Sequence, residues 1–327
     1  TLHITGADRT YDAIVYGTGP EGAERRRRDE PVLHKPFSAE LGNLTPIIVV
    51  PGRWSSGDLD YHAENIATML TNNAGFNCTT SRVIVTAAGW SQREALLDRV
   101  RRRLGQLPTR LAYYPGAAAR FAAFGEVHPE AELFGDPSDG HLPWMLIPGL
   151  SPDAAGDPCY RVEAFCSVTA ETPVDATDAL TFLERATAFA NERLWGTLNA
   201  TIIVDPRTAK DPAIRPALER AIGDLRYGTV SLNHWSAAGY GTGITPWGAF
   251  PGNPRHDIGS GTGFVHNPLM FDAAEKTVIR GPFRAWPKPP WFSSHGGAHK
   301  LMPELTRFEA DHHPGRLAPI LWYALRG

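Results

Sequence analysis

Cysteine is scarce in this chain: its 327 residues include three, Cys78, Cys159 and Cys166. They are too few and too scattered for a disulfide framework, so the core has to hold the fold, and a reducing cytoplasm fits as the compartment. No apolar run approaches the length of a bilayer-crossing helix, and the N-terminus lacks the basic, apolar and small-residue order of a secretory signal. Neither a membrane span nor export is expected. A surplus of one charge is missing too. The net charge of -3 is spread over 32 basic and 35 acidic residues, which gives no concentrated basic surface of the kind nucleic-acid phosphates require. The one basic run, Arg25 to Arg28, stands beside Asp29 and Glu30 as a solvated helix face does. What is present is an apolar fraction of 42%, enough for a sizeable core in one large or two ordinary domains. There is no internal repeat.

Apolar strands alternate with amphipathic helices, the pattern of a mostly parallel sheet with helices on its faces. Ile47 to Val50 reads as a buried strand, followed by a helix from Asp58 to Leu70 whose Leu59, Ala63, Ile66 and Leu70 recur near helical spacing. Val83 to Val85 is the next strand. Ser91 and Glu94 then read as a capping box opening a helix that turns Leu97, Val100 and Leu104 inward and stops at Gly105. A second alternation runs through strand Phe165 to Val168, helix Ala179 to Asn191, strand Thr201 to Val204, helix Ile214 to Leu225 and strand Thr229 to Leu232. The fold class is α/β. From Tyr240 onward Gly and Pro dominate, as far as Trp286-Pro287-Lys288-Pro289-Pro290-Trp291, and a helix is expected again only near Leu301 to Phe308.

Two segments carry residue types suited to carbonyl chemistry: Glu40-Leu41-Gly42-Asn43 and Asn73-Ala74-Gly75-Phe76-Asn77-Cys78. A thiolate adds readily to an aldehyde, and a carboxylate can deprotonate the water that later hydrolyses the thioester. Taken alone, Cys78 also reads as a small buried hydrophobe, and Glu40 as a solvated carboxylate before a glycine turn. The polar, small run of Asn72, Asn73, Gly75, Asn77, Thr79 and Thr80 around the cysteine is unlike a core strand, although Phe76 suits burial.

In their order and spacing the two segments resemble the catalytic signatures of the aldehyde dehydrogenase superfamily: Glu-Leu-Gly-Gly, which carries the general base, and Gly-Gln-x-Cys, which carries the nucleophile. Leu2-His3-Ile4-Thr5-Gly6 is similar to the family's Phe-Thr-Gly-Ser strand. Glu163-Ala164-Phe165 is similar to the start of its Glu-x-Phe-Gly-Pro motif, and Pro246-Trp247-Gly248 to the Pro-Phe-Gly of its late loop, with Asn233 where the family has Val-Asn. The resemblance implies an aldehyde dehydrogenase-like catalytic α/β domain over 46–250, its mostly parallel sheet flanked by helices. Residues 1–45 would be the end of the nucleotide-binding domain and a linker, and 251–327 a Gly/Pro/Trp-rich C-terminal extension. Most of the dinucleotide fold and the oxyanion-hole asparagine would then precede residue 1, so the chain is expected to be an incomplete fragment of the enzyme.

The implied activity is oxidation of an aldehyde to a carboxylic acid with NAD or NADP, through a thiohemiacetal and a thioester on Cys78, with Glu40 as base. Glu163, Phe165, Thr5, Gly6 and Leu41 are implied at the cofactor; read alone, Glu163 is equally a solvated carboxylate at the start of a strand. Phe76, Asn77, Asn233, Trp235 and Trp247 are implied at the substrate pocket. Trp235, Tyr240, Trp247 and Phe250 suit an apolar funnel and suit core packing equally well. A nucleophilic role leads us to expect a lowered thiol pKa at Cys78. The partner is a small-molecule aldehyde, and the chain would form a homo-oligomer or pair with a missing N-terminal half. Asn43 and Leu44 depart from the family's Gly-Lys, Phe76 from its Gln, and Cys166 and Ser167 from its Gly-Pro, which marks a divergent subfamily. Two rivals stay open: a non-catalytic remnant or subunit of the same fold, and a cofactor-independent cysteine esterase.

Gly17-Thr18-Gly19-Pro20-Glu21-Gly22 matches Gly-x-Gly-x-x-Gly, but the helix after it is stopped by Pro31 and no second strand with an acidic end follows at the expected distance. A plain glycine loop is the better reading. His295 with His299, and His312 with His313, have metal-like spacing but no cysteine or carboxylate to complete a set, so they read as surface histidines and no metal is expected.

Overall fold

In the computed structural model, which describes residues 1–327, the alternation becomes two sheets. The chain begins with β1 (Leu2–Thr5), α1 (Asp8–Tyr16), α2 (Gly19–Arg28) and β2 (Phe37–Glu40), with β1 and β2 parallel. Next come β3 (Thr45–Val49), α3 (Ser56–Thr71), β4 (Ser81–Ala87), α4 (Arg93–Gln106), α5 (Ala117–Val127), β5 (Glu132–Phe134) and β6 (Trp144–Ile147). A single turn, α6 (Pro158–Arg161), leads into β7 (Val168–Val174), α7 (Ala179–Arg193), β8 (Asn199–Ile203), α8 (Arg215–Asp224) and β9 (Thr229–Leu232). The last part adds β10 (Gly261–Thr262), β11 (Thr277–Arg280), α9 (Ala298–Asp311) and α10 (Leu317–Ala324).

The large sheet has the order β11-β9-β8-β3-β4-β7-β6-β5, parallel throughout except for the edge strand β5. Every residue of β3, β4, β8 and β9 is buried, as a parallel sheet covered on both faces requires. This sheet and its helices share one core of 56 buried residues, whereas α1 and β2 pack around a separate core of six, Tyr11, Val15, Tyr16, Ala39, Leu41 and Ile258. The small sheet therefore holds itself together.

Four sequence expectations are corrected. The Ser91/Glu94 capping box does not form: α4 starts after Gln92, whose amide clasps the Trp54 backbone at 2.8 Å on both sides, and Glu94 pairs with Arg93 instead. Gly105 lies inside α4, which runs on to Gln106. Phe165 is no strand residue; its φ of 43° makes a sharp bend, and β7 begins at Val168. The boundary at 250 is not a structural one either. Gly261 pairs with Glu40 of β2, and β11 is an edge strand of the large sheet, so residues beyond 250 complete both sheets. A Cβ at Gly261 would stand 1.8 Å from the Ala39 carbonyl oxygen, so only glycine lets the chain close on β2 here.

Candidate active site

The C-terminal ends of β1 and β2 meet the N-terminal ends of β3, β4 and β7 at a cavity of about 630 Å3. Glu40 is the last residue of β2, in register with Thr5 of β1, and Cys78 lies in the loop between α3 and β4. That loop is sharply bent. Asn73, Ala74 and Gly75 all have φ between 50° and 79°, and a Cβ at Gly75 would come within 2.4 Å of the Cys166 carbonyl oxygen. The buried Arg82 guanidinium secures this approach by donating to the carbonyls of Gly75 at 2.6 Å and Cys166 at 2.5 Å.

Cys78 Sγ lies 3.6 Å from Glu40 Oε1. The same carboxylate accepts the indole N–H of Trp247 at 2.8 Å and the Thr5 hydroxyl at 3.3 Å. Burial pushes the Cys78 thiol well above its ordinary pKa, and the Glu40 and Glu163 carboxylates push it further; its own backbone N–H works in the opposite direction. These surroundings favour a thiol donating to Glu40 over the low-pKa thiolate expected.

The loop is held from behind by a polar network. The Cys78 carbonyl accepts from Thr45 Oγ1 at 3.2 Å and Asn199 Nδ2 at 3.1 Å, and the Ser236 hydroxyl bonds Asn199 Oδ1 at 2.7 Å. Asn43, in place of the family's glycine, donates through Nδ2 to Thr45 and to the Asn199 carbonyl. Ser260 supports the Glu40 loop by donating to the Gly42 carbonyl at 2.7 Å while its own carbonyl accepts from Leu41 N–H.

Glu163 faces the same cavity. Its carboxylate accepts the Asn43 N–H at 3.2 Å, and a Cβ at Gly42 would lie 2.2 Å from it, so glycine at 42 lets the two loops meet. Burial raises Glu163 to about 7, against the opposing pull of Arg82 and the Asn43 N–H.

Of the residues expected at the site, Thr5, Gly6, Glu40, Leu41, Phe76, Asn77, Cys78, Glu163 and Phe165 line this one cavity. Asn233, Trp235 and Trp247 are not among its lining residues. Asn233, at φ 57°, caps the end of β8 by accepting the Val204 N–H. Trp235 is buried and donates to the Thr79 carbonyl at 2.9 Å, and Trp247 is buried behind Glu40. The aromatic wall consists instead of Phe76, Tyr114, Phe165 and Trp195, with Tyr240 the one member of the expected funnel that reaches it. Sequence reading passed over Thr45 and Asn199, whose signal was a polar residue at the start of an apolar strand, and Arg82, a charge inside one. His295 is buried against the terminal Gly327 rather than at the surface, while His299, His312 and His313 are exposed.

No family model matches the chain, and no curated protein matches it. Solved structures do. The NADP-dependent glyceraldehyde-3-phosphate dehydrogenase of Bacillus halodurans, solved with NADP, is 19% identical, with a TM-score of 0.60 over 83% of this chain and 50% of that one. A NAD-dependent aldehyde dehydrogenase from Sinorhizobium meliloti is 20% identical (TM-score 0.56; 83% and 48% covered). The 1-pyrroline-5-carboxylate dehydrogenase of Thermus thermophilus is 18% identical (0.57; 80% and 46%). The chain spans about half the length of these structures, and over that half it has the aldehyde dehydrogenase fold.

Proposed function

We propose that this chain, whose fold is that of aldehyde dehydrogenases, carries the acyl-transfer centre for oxidising an aldehyde to a carboxylic acid with NAD or NADP. The observation that supports this is a thiol 3.6 Å from a carboxylate at the wall of an aromatic-lined cavity. When the Cys78 sulfur bonds to an aldehyde carbon, its proton has to leave, and Glu40 is the acceptor already in contact. The carbonyl oxygen gains negative charge as that bond forms, and the Cys78 N–H is a donor beside it. A bound NAD or NADP supplies the acceptor for the hydrogen and two electrons that leave the former aldehyde carbon. After Glu40 has released that first proton to solvent, it takes a proton from water as the water attacks the thioester carbon; the C–S bond breaks, Glu40 returns the proton to the Cys78 sulfur and the acid departs.

For the cofactor, the residues present fit one end. Glu163 is a carboxylate that would bond ribose hydroxyls, Gly42 lets it approach the Glu40 loop closely, and Thr5, Gly6, Leu41 and Phe165 form the neighbouring wall. The small sheet contributes only the parallel pair β1 and β2, so the chain assayed alone is expected not to reduce NAD or NADP. The same thiol and carboxylate would hydrolyse an activated ester without any cofactor, because both groups that reaction needs are on this chain.

The aldehyde reading is tested by alkylation. Cys78 is half-buried and open to the cavity, whereas Cys159 and Cys166 are buried, so iodoacetamide is expected to label Cys78 first, as peptide mass mapping would show. Aldehydes with an apolar body are expected to protect it by adding to the sulfur. Rapid labelling that no aldehyde slows would remove the aldehyde from the account, and first labelling of Cys159 or Cys166 would remove Cys78.

A further inference from the structure

Away from the cavity, three metal-ligating side chains converge from two elements. His128 follows the C-terminal end of α5, Asp157 caps the start of α6, and Cys159 lies in the first turn of α6. His128 Nε2 is 3.2 Å from Asp157 Oδ1 and 3.6 Å from Cys159 Sγ, and one ligand atom from each of the three residues falls within 4.8 Å of the others. The two separations from His128 Nε2 are close to the edges of a coordination tetrahedron. With Zn–N and Zn–O near 2.0–2.2 Å and Zn–S near 2.3 Å, neighbouring ligand atoms stand roughly 3.3–3.6 Å apart.

A second observation comes from the other ring nitrogen. His128 Nδ1 is 3.0 Å from Glu130 Oε1, the carboxylate-behind-histidine arrangement that fixes the tautomer of a metal-bound imidazole and raises its basicity. With the proton on Nδ1, the Nε2 lone pair faces the Cys159 sulfur and Asp157 Oδ1, which also accepts the Cys159 N–H at 2.8 Å. His128 and Cys159 are each 4% exposed, so the donors are already drawn together and out of bulk water, while Glu130 reaches solvent.

We propose that His128, Asp157 and Cys159 form a zinc site, with Glu130 orienting the histidine and a water completing the tetrahedron. Binding replaces the thiol proton of Cys159 by the metal and releases that proton to solvent. The site's consequence is mechanical. Arg161 ends α6 and Val162 and Glu163 follow it directly, all three lining the cavity, so a metal joining α6 to the end of α5 would stiffen the wall that carries Glu163.

The test is titration of the purified chain with Co2+ and competition by Zn2+, repeated in Cys78→Ala so that the cavity thiol cannot supply the signal. One equivalent of Co2+ should bind in both proteins, with sulfur-to-cobalt charge transfer and tetrahedral d–d bands that Zn2+ abolishes. Cys159→Ala should lose the charge-transfer band. Glu130→Gln, a solvent-facing change that leaves folding intact, should keep the band and weaken affinity about 10–100-fold. Absence of a tetrahedral spectrum, a signal that disappears in Cys78→Ala, or one that persists in Cys159→Ala would each overturn the proposal.

Discussion

Cys78 and Cys159 each lie beside carboxylates and have opposite prospects by access. Cys159 has the partner usually sought for a nucleophile, a histidine ring nitrogen at 3.6 Å with a carboxylate behind it. Cys78 has no histidine, only the Glu40 carboxylate at the same 3.6 Å. Yet Cys78 opens onto a cavity of about 630 Å3, and Cys159 is among neither its lining residues nor the half-buried cysteines. A nucleophile needs room for an electrophile, and a metal ligand needs to be closed in. Burial raises both thiols, so the comparison also shows that neither is a ready thiolate. On the proposals above, one would be deprotonated by a base as it attacks, and the other would release its proton to solvent as a metal binds.

The sharpest way to break this contrast is to remove each sulfur in turn. Cys78→Ala is expected to abolish the burst of nitrophenolate from p-nitrophenyl acetate, and Cys159→Ala to leave it intact; a burst that follows Cys159 would reverse the assignment. The next effect concerns what holds Glu40. Trp247→Phe deletes the indole donor to its carboxylate, and losing a buried hydrogen bond to a charged group should cost about 1.5–3 kcal/mol. Asn199→Ala leaves the Cys78 carbonyl and the Ser236 hydroxyl short of a partner, for which about 1–3 kcal/mol is expected. Urea midpoints check both, and a change near zero would mean that these bonds do not secure the loop.

The smallest effect is one of pH. The unfolded Glu163 gives up its proton near its ordinary 4.5, but the folded one holds it to about 7. Between those values the native state binds more protons, so stability should fall as pH rises through that window and level off above it. Glu163→Gln removes this contribution. Urea midpoints for the two proteins should therefore diverge between roughly pH 5 and pH 8, with the variant gaining on the parent, and parallel curves would place Glu163 in a wetter setting.

The large sheet was legible because its strands carry short buried apolar runs such as Ile47 to Val49 and Val83 to Val85, a pattern with few other readings. Thr229 to Leu232 is a strand residue for residue as read, and Ile47 to Val50 and Thr201 to Val204 lie within two residues of the observed bounds. Cys78 and Glu40 were legible through the motifs around them. What supports them was not, because it is brought together only by the fold. Ser260 reaches Gly42 across 218 residues, from a stretch whose glycines and prolines read as irregular, and Asn199 reaches Cys78 across 121. His128 and Asp157 are 29 residues apart, so spacing carried no sign of the cluster. The misread pieces, Phe165 and the start of α4, are places where a tertiary contact overrode local propensity.

The central claim, that Cys78 and Glu40 divide the work of forming and hydrolysing a thioester, is tested most directly by trapping that thioester. After brief exposure to p-nitrophenyl acetate, peptide mass mapping of Glu40→Gln should find the acetyl group on Cys78 and decaying about 100- to 10,000-fold more slowly than in the parent. The burst itself should also be slower than in the parent, because Glu40 is the group that takes the Cys78 proton as the sulfur attacks, so the decay of the trapped acetyl group is what reports hydrolysis. An acetyl group on another residue, or one that leaves Cys78 as fast in Glu40→Gln as in the parent, would contradict the account.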